Sequence, residues 1–424
     1  MPKGTGGRHR FPRGQAIDPA ALRKARHDAG LTLAETAEGI ISRQALQQFE
    51  AGKARPMPGT LQAIARRLNV TVDALLARPR DPRELEMRNL EEKQRWRELE
   101  RLAVKVLGDL NVTPRTQAVA RFYLGRAALN EAPEEALDHL REARGPLAKY
   151  GEPWLAAEAL DWEAAALYLM QRPEALEVGQ DALARYRVLT NRDPQVEARM
   201  LEHIGTYQLQ RQELADAMQS YLRAIDVAGN VLNLVRLANI YHGLGSACLR
   251  LRQSRRALEY FERAVHFGRT HQDVTGTPIA NLARLENDYG DMLVRAGNLK
   301  RAEEMIRSAL DRYEAGGIDA ARSDAMLSMG LLRQHQGQTD DAMRWTNDAM
   351  KLAQRLGETV SLAAGYQQLG ELWAAQGDRE RFEAAFSRAI ELHKRAGLPE
   401  RLALTLERYR RVRESTIESE PPGG

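Results

Sequence analysis

Apolar positions fall into two regimes along this chain. Over residues 18–77 they form short helical stripes interrupted by caps and glycines, and from about 114 to 397 they form long stripes that repeat. In the first regime Asp18-Pro19 reads as an N-cap followed by proline at the first helical position, opening a helix through about Asp28 that Gly30 stops. Thr32-Leu33-Ala34-Glu35 is a capping box that opens a second helix ending near Gly39. Ser42 caps a third, which runs to about Ala51 before Gly52. Leu61, Ile64, Ala65 and Leu68 put an apolar stripe on a fourth helix, and Val72, Leu75 and Leu76 on a fifth. Five helices in so short a span predict a compact bundle.

The third helix carries the candidate chemistry. Leu46 and Phe49, three apart, are expected to point into the bundle, which leaves Arg43, Gln44, Gln47 and Gln48 on the other side. A Gln amide can donate and accept one hydrogen bond each at adenine N6 and N7, and Arg can fork onto guanine O6 and N7. Charge agrees with that reading. The chain as a whole carries only +4, yet residues 1–80 hold 14 Lys/Arg against 6 Asp/Glu, and the remainder 48 against 52. The basic end is the end expected to face a polyanion.

Taken with Leu22, Arg26, Gly30-Leu31-Thr32, Glu35, Ala37, Ile41-Ser42-Arg43, Phe49-Glu50-Ala51-Gly52-Lys53, Pro56, Leu61, Leu68 and Val72-Asp73-Ala74-Leu75-Leu76, this segment resembles the lambda-repressor-like, or Xre-type, helix-turn-helix domain. The resemblance implies that the second helix of the motif enters the major groove of double-stranded DNA while the first crosses the phosphates. Base readers would be Arg43, Gln44, Gln47 and Gln48, and phosphate contacts Thr32, Ser42, Lys53 and Arg55. Leu33 stands where the family usually has Gln, and the turn Glu38-Gly39-Ile40-Ile41 is a residue shorter than the common one. Because one such domain covers little DNA, a homodimer on two half-sites is expected.

Pro79-Arg80-Asp81-Pro82 reads as an extended hinge after the bundle. Residues 83–108 are highly charged, with Leu85, Leu90, Trp96, Leu99, Leu102, Val106 and Leu107 at helical spacing, which suits a linker helix, the first helix of an array or a dimer contact. Then Ala-x6-Ala recurs as Ala136/Ala143, Ala175/Ala182, Ala217/Ala224, Ala257/Ala264, Ala302/Ala309 and Ala342/Ala349, with Phe382/Ala389 as a seventh copy. Gly205, Gly245, Gly290, Gly330 and Gly370 each stand twelve residues before the first of the pair, and Gly125 eleven before Ala136. Small residues at fixed places let helices approach closely, and the pattern resembles the tetratricopeptide repeat with a lengthened period. The domain reading is therefore a disordered basic arm (1–17), a DNA-binding domain (18–78), hinge and linker helix (79–113), seven helix pairs (114–397), a capping helix (398–413) and a disordered tail (414–424). The fold class is all-α, a five-helix lambda-repressor-like domain followed by a right-handed tetratricopeptide-type superhelix.

Such an array binds along the wall formed by the first helix of each pair. Positions around the recurrent Gly place Arg199, Glu202, Thr206, Asn239, His242, Ser246, Arg284, Asn287, Asp291, Asp324, Gln334, Gln367 and Glu371 there. Arg199, Asn239, His242, Arg284, Asn287, Asp291, Gln334 and Gln367 are the candidate groove residues, since amides and guanidinium groups can clamp an extended peptide. The combination looks like the peptide-responsive regulators of the quorum-sensing family. That resemblance implies a transcription regulator whose groove takes a short signalling peptide or a protein partner, with Asn239 and Asn287 on the peptide backbone and Arg284 and Arg199 on an acidic group. A protein-interaction scaffold tethered by its helix-turn-helix, without a small ligand, is the alternative.

Composition removes other classes. One cysteine, Cys248, allows no internal disulfide or multi-cysteine metal site and suits a reducing cytoplasm. No run is apolar enough for a membrane span or signal peptide. Gly4-Thr5-Gly6-Gly7 follows no strand, and His266 and His271, five apart, do not share a helical face, so no cofactor, metal or catalytic constellation is expected, and the chain is read as not an enzyme. Cys248 and the tryptophans of the repeats are expected in the core.

Overall fold

The computed structural model describes residues 14–15, 17–76, 81–190, 192–228, 233–319 and 321–418. The N-terminal arm up to residue 13, residues 77–80 with the first half of the hinge, and the end of the tail (419–424) lie outside the described residues. The chain forms two compact units, one ending at Arg192 and the other beginning at Asp193.

The first unit opens with α1 (Pro19–Asp28), α2 (Leu33–Ala37), α3 (Arg43–Glu50), α4 (Pro58–Arg67) and α5 (Val72–Leu75). The caps act as their residue types dictate. The Asp18 carboxylate accepts from the amides of Ala20 and Ala21, and Thr32 and Glu35 complete the reciprocal capping box. Leu22, Leu46, Leu61, Ile64 and Leu75 are fully buried at the centre of the bundle. The chain before α1 is tied down at two points, unlike the free arm expected through residue 17. Gln15 N–H donates to Pro56 O at 2.8 Å, and Ile17 forms an isolated antiparallel bridge with Leu76.

The charged stretch after the hinge is two helices, α6 (Pro82–Glu92) and α7 (Trp96–Leu107), where the spacing suggests one. Gln94 adopts a left-handed conformation (φ +55°) at the break, with no glycine or proline to announce it. The break reassigns the apolar positions. Leu85 is exposed and Met87 fully buried, with Leu99, Ala103 and Val106 sharing a core with the first repeat. Polar contacts fasten the same junction: Arg115 donates to the Glu84 carboxylate at 3.0 Å and also pairs with Glu152, and Arg126 Nε donates to Glu91 at 2.7 Å. The packing joins this stretch to the first repeat.

The repeat follows as helix pairs, α8 (Pro114–Ala128) with α9 (Pro133–Lys149) and α10 (Pro153–Leu169) with α11 (Ala175–Arg187). The second unit continues with α12 (Pro194–Gln210) and α13 (Leu214–Ala228), α14 (Leu234–Arg250) and α15 (Ser254–Thr275), α16 (Leu282–Arg295) and α17 (Leu299–Ala315), α18 (Arg322–His335) and α19 (Thr339–Leu356), α20 (Thr359–Ala375) and α21 (Arg379–Arg395). It ends on α22 (Pro399–Glu418), which runs past the expected end at Arg413.

The recurrent residues explain why each pair closes. Both members of every Ala-x6-Ala copy are buried, and so is Phe382. The glycine on the first helix makes room for the side chain four places after the first Ala: a Cβ on Gly245 would lie 2.9 Å from the Phe261 ring, and one on Gly370 2.5 Å from that of Phe386. Bulk in one helix thus fills a gap left in the other, the close packing on which such cores depend. Cys248 is fully buried in the same core, and burial raises its thiol pKa. A carboxylate is buried there too: Glu286 accepts from Arg269 Nε at 2.8 Å, Arg312 Nε at 2.7 Å and Ser308 Oγ at 2.8 Å, which ties α15, α16 and α17 together.

Candidate DNA-reading helix and inner groove

α3 is fixed at both ends and along one face. At its start Ser42 Oγ accepts the amide of Ala45 at 3.1 Å. At its end Gly52 (φ +70°) takes the left-handed conformation that lets Lys53 N–H reach Gln48 O at 2.9 Å and Gly52 N–H reach Phe49 O at 3.0 Å. Leu46 and Phe49 enter the core, and the Glu50 carboxylate is buried beside them. Arg26 of α1 grips that carboxylate with two bonds, Nε to Oε1 at 2.7 Å and Nη2 to Oε2 at 3.0 Å, and donates from Nη1 to Leu31 O at 3.0 Å. Arg67 of α4 donates to Glu35 O at 2.7 Å and Glu38 O at 3.0 Å, holding the end of α2 where Gly39 (φ +70°) turns the chain.

The face left over is the one expected to read bases. Arg43, Gln44 and Gln47 are exposed and Gln48 is half-buried behind them. Among the described residues, none of the four side chains has a hydrogen-bond or ion-pair partner. Ser42, Lys53 and Arg55 are exposed around this face. Thr32 is exposed but engaged: its N–H donates to Glu35 Oε2 at 2.7 Å, and that bond first, with the Thr32 hydroxyl second, holds the Glu35 carboxyl below its usual range. A carboxylate therefore already stands at the start of α2 where a phosphate would approach, whereas Ser42 at the start of α3 has no such acid beside it.

In the second unit every candidate groove residue falls on the first helix of a pair, on α12, α14, α16, α18 or α20. Neighbouring pairs use many of them to hold each other. Asn239 Oδ1 accepts from Asn281 Nδ2 at 2.9 Å, His242 Nε2 lies 2.7 Å from an Asp288 carboxylate oxygen, and Gln367 Nε2 donates to Thr405 Oγ1 at 2.8 Å. Asp291 pairs with Arg295 at 2.8 Å, Glu202 with Arg236 at 2.5 Å, and the Thr206 hydroxyl meets Tyr221 OH at 3.0 Å. Asn287 is only 7% exposed, and its Oδ1 and Gln334 Oε1 are buried without a hydrogen-bond partner. Arg199 is half-buried on α12. Arg284 is exposed and has no ion-pair partner among the described residues. Asp324 is open to water yet closely walled. Burial pushes its carboxyl above the usual range, the Glu358 and Asp288 carboxylates add to this, and a hydrogen bond from Ser361 Oγ at 2.6 Å works against it.

The sequence matches the helix-turn-helix family over residues 22–75. Residues 22–75 are a helix-turn-helix domain of the Xre type. Residues 238–265 match the tetratricopeptide repeat, and they comprise most of α14 and the first half of α15. No curated protein matches the chain. Among solved structures, the apo form of the quorum sensor NprR from B. thuringiensis is similar over 87% of this chain and 99% of its own, at 16% identity and a TM-score of 0.58. A Rap protein complexed with competence and sporulation factor is similar over 80% of this chain and 98% of its own, at 15% identity and 0.54. Aspartyl phosphate phosphatase F from Bacillus subtilis is similar over 89% and 95%, at 13% identity and 0.53. At these identities the likeness establishes the fold alone, an array of tetratricopeptide-type helix pairs.

Within the helix-turn-helix domain, Arg26 and Glu50 are visible in the sequence only as members of the motif and Arg67 not at all, and the structure gives all three the work of holding α2 and α3. In the array, Asp288 and the arginines of α22 carry no periodic mark in the sequence. Asp288 sits one place off the periodic positions from which the groove was read. Arg401, Arg408 and Arg411 lie on a helix taken as a cap, although their spacing of seven and three puts them on one helical face.

Proposed function

We propose that this protein is a sequence-specific, DNA-binding transcription regulator, acting as a homodimer in the cytoplasm, whose repeat array takes a short signalling peptide that modulates DNA binding. The observation that carries the reading is the outward face of α3, where Arg43, Gln44 and Gln47 stand exposed and unpartnered on a helix fixed at both ends. Rigid placement with free donors and acceptors is what base readout requires, and each good bidentate contact discriminates by about 1–3 kcal/mol. Lys53, Arg55 and the amides at the start of α3 are assigned to phosphates. Thr32 is assigned to holding α2, with any phosphate contact there weakened by Glu35.

The peptide part of the reading is supported by Arg284, exposed and without an ion-pair partner among the described residues, and by the buried Asn287 with an amide oxygen lacking a donor. Among the solved structures of similar fold, NprR is a quorum sensor and the Rap protein is complexed with competence and sporulation factor. One observation favours the scaffold alternative. Asn239, His242 and Gln367 are already bonded within the protein, as a repeat array with no ligand of its own would have them.

Selection of genomic DNA fragments on the purified protein tests the reading, wild type against Gln44→Ala/Gln47→Ala. A palindromic motif recovered by wild type and lost in the variant is the expected result. The same fragments from both proteins would overturn base readout by α3. Titration of candidate peptides against wild type and Arg284→Ala/Asn287→Ala then tests the groove, with equal affinities counting against it.

A further inference from the structure

α22 and α20 turn one face each towards a common pocket of about 390 Å³, a size suited to a small organic ligand. Four arginines line it, Arg252, Arg401, Arg408 and Arg411, against one carboxylate, Glu407. Arg252 reaches Glu407 at 3.1 Å although the two are 155 residues apart, so the turn between α14 and α15 closes one side of the pocket against α22. Arg408 is held by Glu371 through both carboxylate oxygens, with Nη2 to Oε2 at 2.7 Å. Arg401 and Arg411 have no ion-pair partner among the described residues, and both are exposed. Two positive charges thus face the pocket without an ion-pair partner, with the Asp324 carboxylate acting on Arg401 only from a distance.

The rest of the lining says what else a ligand needs. Val360, Ala364 and Leu404 supply an apolar wall. His393, only 3% exposed, also lines the pocket. Its Nδ1 lies 3.0 Å from Thr405 Oγ1, which gives its single proton to Arg401 O at 2.7 Å and accepts from Gln367 Nε2 at 2.8 Å. Its Nε2 is buried without a hydrogen-bond partner among the described residues. Burial and the Arg401 charge both favour the neutral ring.

We infer that this pocket binds an organic carboxylate with an apolar stem. Arg401 and Arg411 take the carboxylate, and Val360, Ala364 and Leu404 the stem. An acylated amino acid or the C-terminal residue of a peptide has this chemistry. A phosphate dianion answers the charge but brings no stem. The site stands apart from the proposed DNA reading and shares only Gln367 with the candidate groove, so it holds or fails independently of both.

The test is titration of the full-length protein, without DNA, with N-acetyl-leucine, N-acetyl-leucinamide and inorganic phosphate, read by saturation-transfer NMR and calorimetry. The acid is expected to bind in the millimolar range and the amide about tenfold more weakly, as befits the loss of one charge-assisted hydrogen bond. Arg401→Gln/Arg411→Gln is expected to weaken the acid by at least as much while leaving the melting temperature unchanged, because neither side chain holds another. Phosphate is expected not to displace the acid. Equal binding of acid and amide, unchanged affinity in the double variant, displacement by phosphate, or no acid binding at tens of millimolar would each overturn the assignment.

Discussion

Helix α3 and the inner face of the array both carry polar side chains, Arg and Gln on the first and Asn, Arg, Asp and Gln on the second, yet these residues are placed differently. On α3 the four polar side chains of the outward face have no partner among the described residues, because the ends of the helix are capped by Ser42 and Gly52 and its inner face by Leu46 and Phe49. On α14 and α20 several polar side chains bond to a neighbouring pair or to α22, as Asn239 does to Asn281, His242 to Asp288 and Gln367 to Thr405. The bundle closes on its apolar stripe, its caps and the buried Arg26–Glu50 pair. A stack of helix pairs must also fix how each pair sits on the next, and side-chain hydrogen bonds supply that angle. Polarity on an exposed face therefore signals availability in the first case and, in the second, often only mutual support.

The largest effect should come from the ion pair that Arg26 and Glu50 bury in the bundle. Glu50→Ala leaves Arg26 buried without its carboxylate and is expected to destabilise the helix-turn-helix domain by about 3–5 kcal/mol, as removal of one member of a buried pair does. Chemical denaturation would show an early transition confined to that domain, with DNA binding lost for every sequence. If Glu50→Ala unfolded with wild type, the bundle would not depend on the pair. Next in size is Asn239→Ala, which leaves Asn281 without its acceptor and is expected to cost about 1–2 kcal/mol. Arg284→Ala on the same face should change stability by less than about 0.5 kcal/mol. Equal melting curves for these two variants would erase the distinction drawn here between bonded and free residues of the inner face.

Much of this was legible in the sequence because the physical signal is local. The five helices of the bundle announce themselves through Asp18-Pro19, the Thr32/Glu35 box, Ser42 and Gly52, each acting within a turn of its own position. The repeat was legible through glycines whose missing Cβ admits a side chain sixteen residues later, as with Gly245 and Phe261. What was not legible depends on long-range contact. The left-handed Gln94 that splits α6 from α7 has no sequence mark. Whether Asn287 faces a ligand or the core is decided by how α16 packs on its neighbours, and it is buried. The pocket beneath α22 needs Arg252 and Glu407 brought together from far apart, which no periodicity announces.

A pH experiment separates support from availability in another way. Glu303 accepts from Arg333 Nη2 at 2.9 Å and Arg307 Nη2 at 2.7 Å, and these hydrogen bonds lower its carboxyl from 4.5 to about 2. A depressed carboxylate stabilises the fold when ionised, so its contribution is complete above the unfolded value and is lost as pH falls through the folded one. Glu303→Gln is expected to cost about 1 kcal/mol at neutral pH. The gap from wild type should narrow between about pH 4.5 and pH 2. A gap constant over that window would mean that Glu303 acts through packing and not through its charge.

The smallest expected effect bears most directly on function. Gln44→Ala and Gln47→Ala remove side chains that touch nothing in the protein, so the melting temperature should stay within the scatter of neutral surface changes, about 0.5 kcal/mol or less. Binding to a selected operator should nevertheless weaken at the base each residue reads, by about 1–3 kcal/mol. Binding to unrelated DNA, held by Lys53 and Arg55, should not change. Lys53→Ala should do the reverse, weakening all sequences alike and reducing the slope of affinity against salt. A variant that lost stability together with sequence preference would place Gln44 or Gln47 among the supporting residues, and the contrast between the reading helix and the array would narrow to one of degree.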